Sequence, residues 1–141
     1  MQDLVKERQL ADCKGLAEAW LQFRELFLGA VKGEEVITPQ NEARFLAIKS
    51  RIAMTHDSFM DALKHDQQIG QNIYLIVTRC ITLRHVNRMS QAETKKIEIE
   101  WHESYLLLTE TLTTLQKEID KLAQINATAF MLRRMANRVK V

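Results

Sequence analysis

The side chains with most chemistry to offer in this sequence are its four histidines and two cysteines, and their spacing decides what they can do. A di-iron site in a helical bundle takes Glu and His three residues apart on each of two helices. The residues three before His56, His65, His85 and His102 are Ala53, Ala62, Thr82 and Ile99. Glu98 and His102 stand four apart, the spacing of an ion pair on one helix face, but no second Glu–His pair exists to complete a metal site. His56 and His65, nine apart, point to opposite sides of a helix. They read as surface or boundary residues, so neither a metal nor a cofactor is expected.

Nucleophilic catalysis finds no support either. There is no Gly-x-Ser-x-Gly elbow and no glycine-rich phosphate loop. Cys13 and Cys80 sit on apolar helix stripes without a neighbouring base, as two free, partly buried thiols of a reducing compartment. No catalytic residue is expected, and the chain reads as a non-enzymatic protein.

The elements that carry these residues are helical. Four Gly and one Pro in 141 residues, with 46% hydrophobic and 27% charged side chains, place the chain in the all-α class as a single domain, residues 1–141. It is expected to form an antiparallel helical bundle with long, coiled-coil-like helices. From Ser90 to Asn137 there is neither Gly nor Pro, and Ile97, Trp101, Tyr105, Leu108, Leu112, Leu115, Ile119 and Leu122 recur in steps of three and four. That pattern predicts one helix over 91–137, with Ser90-Gln91-Ala92-Glu93 as its capping box. Another amphipathic stripe, Leu16, Trp20, Phe23, Phe27 and Ala30, predicts a helix over 3–31 closed by Gly33 as a left-handed cap. Thr38-Pro39 reads as an N-cap with Pro in the first turn.

Where the helix starting at Pro39 stops is the main structural question. Counting in threes and fours from Phe45 through Ile48, Ile52, Thr55, Phe59, Ala62, Asp66, Ile69, Ile73, Ile76 and Cys80 to Leu83, the phase passes through Gly70 without a slip. An internal Gly costs about 1 kcal/mol relative to Ala, which a long helix tolerates. The expectation is therefore a continuous helix over 39–88, giving three helices; a turn at Gly70 would instead give a compact four-helix bundle. With three helices, the first lies along 39–68 and along the C-terminal half of the third, and the tip of the long hairpin is left uncovered. Apolar residues there occupy more than one face. Ile73, Tyr74, Ile76, Val77 and Ile81, opposite Ile97, Trp101 and Tyr105, are thus expected to form a self-association interface and a homodimer.

Charge marks the other candidate. No acid follows Asp120, whereas Lys121, Arg133, Arg134, Arg138 and Lys140 do, leaving 15 of the 20 cations to balance all 18 acids in the first 120 residues. Leu132, Met135 and Val139 share a face of this end. Arg133, Arg134, Arg138 and Lys140 would bind an anionic partner: a membrane surface, an acidic protein or, weakly, nucleic acid, for which only Phe130 offers stacking. The simpler alternative packs this apolar face on the first helix. No apolar run approaches the roughly 18 residues that span a bilayer, and the N-terminus lacks a leader pattern, so a cytoplasmic protein is expected. The sequence as a whole points to a helical interaction or assembly protein acting through self-association and its hairpin surface, or through its basic end.

Overall fold

The computed structural model describes residues 2–139 and the side chains of residues 4–137. Steps of three and four residues bring Leu16, Ala19, Trp20, Phe23, Phe27 and Ala30 onto one buried face of α1 (Gln2–Lys32). The chain reverses through 33–38 into α2 (Pro39–Ala62), whose N-cap is Thr38: its Oγ1 accepts from the Asn41 N–H at 3.1 Å, with Pro39 in the first turn. After α3 (Gln67–Arg79) and the short α4 (Leu83–Asn87) comes α5 (Gln91–Val139), where Ser90 Oγ accepts from the Glu93 N–H at 3.1 Å. Among the described residues every regular element is a helix.

The helices run up, down, up and down. Phe23 stacks on Phe45 and Glu18 pairs with Arg51, so α2 is antiparallel to α1. His56 meets Gly70 and Lys49 meets Cys80, so α3 returns along α2. Arg79 meets Glu100 and His65 meets Glu110, which sets α5 antiparallel to α3. Trp20 meets Ser104 and Lys6 meets Glu118, which sets α5 antiparallel to α1 as well. Each long helix therefore has two neighbours around one core, with α4 closing an end where Asn87 Nδ2 donates to the Ala30 carbonyl at 2.8 Å.

The helices expected over 3–31 and 91–137 are α1 and α5. The continuous helix over 39–88 is not found. It breaks at 63–66 and again at 80–82, and the architecture is the compact bundle, with its turn several residues before Gly70. Asp66 makes that turn by adopting φ 59°, the left-handed region that Asp tolerates better than bulky residues. Gly70 lies inside α3 for a different reason. A Cβ there would sit 2.6 Å from Leu63 Cδ1 and 2.9 Å from Met60 Sδ, so its missing side chain is what lets α3 close on α2. The unbroken phase was no sign of continuity, because two antiparallel helices each need an apolar stripe. Gly33 also differs from expectation: its φ is not positive, and its N–H continues the helical ladder to Gly29 O at 3.2 Å. Finally, α1 covers the middle of α5, from His102 to Glu118, and not its C-terminal half.

Two residues of α2 hold the second break. Lys49 Nζ donates to the carbonyls of Cys80 and Ile81, both at 2.9 Å, closing the end of α3. Seven residues earlier and on the same face, Glu42 accepts from the N–H groups of Leu83 at 2.6 Å and Arg84 at 3.4 Å, opening α4 beside the N-cap Thr82. Burial holds the Lys49 ammonium below its ordinary pKa.

Gly70→Ala separates helix propensity from packing. Propensity alone would raise stability by about 1 kcal/mol; the crowding against Leu63 and Met60 predicts a loss of about 1–3 kcal/mol, read as a lower midpoint in urea denaturation.

Candidate interaction surfaces

The residues with chemistry to offer are held in structural roles. Cys13 and Cys80 are wholly buried, and burial pushes both thiols up to about 12, helped at Cys13 by the neighbouring Asp12 carboxylate. They are inert as nucleophiles at neutral pH. His56 is neither a surface nor a boundary residue: it is 5% exposed between α2 and α3, with Nε2 donating to the Gly70 carbonyl at 3.0 Å. His65 bridges Asp66 at 2.7 Å and Glu110 at 3.4 Å, and the bond to Asp66 above all raises its pKa. The His102 Nε2 accepts from Arg24 Nη2 at 3.3 Å, while the Arg24 guanidinium lies 4.9 Å over the Trp101 ring. Among the described residues no three His, Cys, Asp or Glu side chains converge as metal ligands.

The eight residues expected at a self-association interface are divided by the fold. Ile73, Ile76, Val77, Ile97 and Trp101 are buried in the core of the single chain, and Tyr105 is half-buried. The uncovered hairpin tip on which that interface depended does not exist, because α3 folds back between α2 and α5. Tyr74 and Ile81 alone remain exposed, at 46% and 60%.

The basic end behaves differently. At Glu118, α5 is gripped by Lys6 of α1 and, at 3.6 Å, by Lys64 next to the end of α2. The Lys6 ammonium chiefly holds the Glu118 carboxyl below its usual range. Leu122 is half-buried, and every described side chain from Ala123 to Asn137 is exposed. Ile125, Phe130, Met131, Leu132 and Met135 are each more than half exposed. The alternative in which this apolar face packs on α1 is thereby excluded. Residues 123–139 continue α5 for about 25 Å past the grip. Arg133 and Arg134 stand exposed on this arm, and the side chains of Arg138 and Lys140 lie outside the described residues. None of the helices is long and apolar enough to cross a membrane among the described residues.

No protein-family model, curated protein or solved structure matches the chain.

The grip on Glu118 has a pH signature. A carboxyl whose folded pKa is depressed contributes stability that is present above its unfolded value, about 4.3, and is lost as pH falls through the folded value. Glu118→Gln should lower the melting temperature at pH 7 by a few degrees at most, as expected for a partly exposed pair. The gap between variant and parent should then close on acidification below pH 4, measured by circular dichroism melts from pH 7 to pH 3.

Proposed function

We propose that this is a non-enzymatic helical interaction protein, in which the four-helix bundle is a mount and the exposed stretch of α5 after Leu122 is the element presented to a partner. One observation carries this: the fifteen consecutive side chains from Ala123 to Asn137 are all exposed, although five of them are large apolar groups. Exposed apolar side chains on a helix extending from a well-filled core gain nothing for the fold. Their burial is available to a partner.

The partner's chemistry follows from charge and geometry. Lys121, Arg133 and Arg134, with no acid after Asp120, call for an anionic surface. Phe130 and Leu132, two residues apart, point about 200° from one another round the helix. A flat bilayer buries one face of a helix; a groove in a folded protein encloses more than one. The arm therefore suits an acid-rimmed, apolar groove of a protein partner, read by Phe130, Met131, Leu132 and Met135 and steered by Arg133 and Arg134. Two buried free thiols suit a reducing, cytoplasmic setting for this role.

Calcium-loaded calmodulin, an acidic protein with a Met-rich, helix-enclosing groove, serves as a surrogate partner. The full chain should bind it with micromolar affinity, and the affinity should weaken with salt. Binding should disappear both in a chain ending at Ala123 and in the double variant Arg133→Glu, Arg134→Glu. The shortened chain should keep the parent's melting temperature within about 3 °C, because the removed side chains are not part of the core. Binding to phosphatidylserine vesicles or to duplex DNA without binding to calmodulin would contradict the proposal, as would collapse of the cooperative melt on shortening.

A further inference from the structure

The turn between α2 and α3 meets α5 through a histidine. Residues 63–66 make the reversal, and Asp66 makes it in the left-handed region at φ 59°. Although Asp66 stands at the N-cap of α3, its carboxylate forms no capping bond to that helix. It turns instead to His65, whose Nδ1 lies 2.7 Å from Asp66 Oδ2. The other ring nitrogen, Nε2, lies 3.4 Å from Glu110 Oε1 on α5. One imidazole is thus set between two carboxylates, one from its own turn and one from the helix opposite.

Two ring nitrogens facing two carboxylates select a protonation state. A neutral imidazole carries one N–H and one lone pair. Donating to Asp66 from Nδ1, it would aim the Nε2 lone pair at the Glu110 carboxylate; the other tautomer would set a lone pair at 2.7 Å against Asp66. The imidazolium alone presents an N–H to both. The other charges nearby come from α2, α5 and α1. Lys64, beside His65, reaches Glu118 at 3.6 Å, and Lys6 of α1 shares that carboxylate. Asp61 in the last turn of α2 is exposed, and the first turn of α3, Gln67-Gln68-Ile69, brings no charge. The turn therefore meets α5 at Glu110 and at Glu118, about 12 Å apart along the helix. Of these two contacts, the one through His65 can be switched by a proton near neutral pH.

We infer that His65 is a proton-operated clasp: charged, it ties the α2–α3 turn to α5, and loss of its proton releases Glu110 and loosens the turn and the start of α3. The facing carboxylates hold the imidazole pKa above its ordinary 6.5, through the hydrogen bond to Asp66 first. A folded pKa raised in this way gives stabilisation that is complete below the unfolded value and disappears as pH rises through the folded one. The clasp is therefore closed in mildly acidic solution and opens as the medium turns alkaline. It needs neither the arm of α5 nor a partner, so it stands apart from the binding role proposed above.

Proton NMR of the His65 ring follows the proton itself. Its titration midpoint should lie above 6.5, and Asp66→Asn and Glu110→Gln should each lower it, Asp66→Asn by more. Asn keeps the left-handed conformation open to residue 66. Opening is read at the amides of Leu63 and Gly70, whose N–H groups bond the Met60 and Asp66 carbonyls on either side of the turn. Their protection factors, with intrinsic exchange divided out at each pH, should fall by roughly two- to fivefold between about pH 6 and pH 8.5, the range of a partly exposed ion pair. His65→Gln, which cannot be charged, should show the low protection at every pH, and His65→Arg, which cannot lose its charge, the high protection at every pH. A His65 midpoint at or below 6.5, a midpoint unmoved by Glu110→Gln, or the same fall in protection in the His65→Gln variant would overturn the inference. The last result would assign the pH dependence to His56, buried against the Gly70 carbonyl.

Discussion

The crossing of Trp20 and Trp101 sets the register on which the remaining structure depends. Their rings stack with centroids 5.8 Å apart, and each indole N–H is satisfied across the interface. Trp20 Nε1 donates to Ser104 Oγ and Trp101 Nε1 to the Trp20 carbonyl, both at 3.1 Å. Neither ring could slide by a turn without leaving an indole N–H buried and unpaired, at a cost of about 1–3 kcal/mol. Phe23, Phe27, Phe45 and Tyr105 extend the stack into α2 and along both helices. With α1 and α5 locked there, Lys6 falls on Glu118, and the point at which α5 leaves the bundle is fixed.

The opposite wall of the bundle is made from shorter pieces held by polar contacts. Asp66 turns the chain, Gly70 allows α3 to lie close, and Glu42 and Lys49 receive the interrupted ends of α3 and α4. The two α2 side chains satisfy backbone groups that a helix break strands in a partly buried place. Covering Ile73, Ile76 and Val77 in this way removes the apolar surplus that would otherwise demand a second chain at the hairpin tip.

Much of this was legible in the sequence, and the parts that were not share a cause. Local signals were sufficient for α1, for the Thr38-Pro39 start, for the Ser90 cap and for α5, since each is written in residues adjacent in the chain. The fate of 63–88 was not local. A stripe at helical spacing states that a face is buried without stating against what, so one helix and a helical hairpin share the pattern. The polar run Lys64 to Gln68, with Asp66 able to take the left-handed conformation, was the available signal for the break. The arm was visible as charge but its exposure was not, since exposure depends on how the other helices pack along α5.

α5 has a part whose side chains belong to the core and, from Ala123 onwards, a part whose described side chains are exposed. Once nucleated by the bundle, the helix extends at little cost, but its end opens without disturbing anything packed. Amide hydrogen exchange along α5, followed by NMR on dilute protein, tests this division most directly. Slow exchange approaching the global unfolding limit from Ile97 to Leu115, falling by orders of magnitude from Ile125 to Asn137, is the predicted profile. Uniform protection through Asn137 would contradict it, and would place the end of α5 within the folded core.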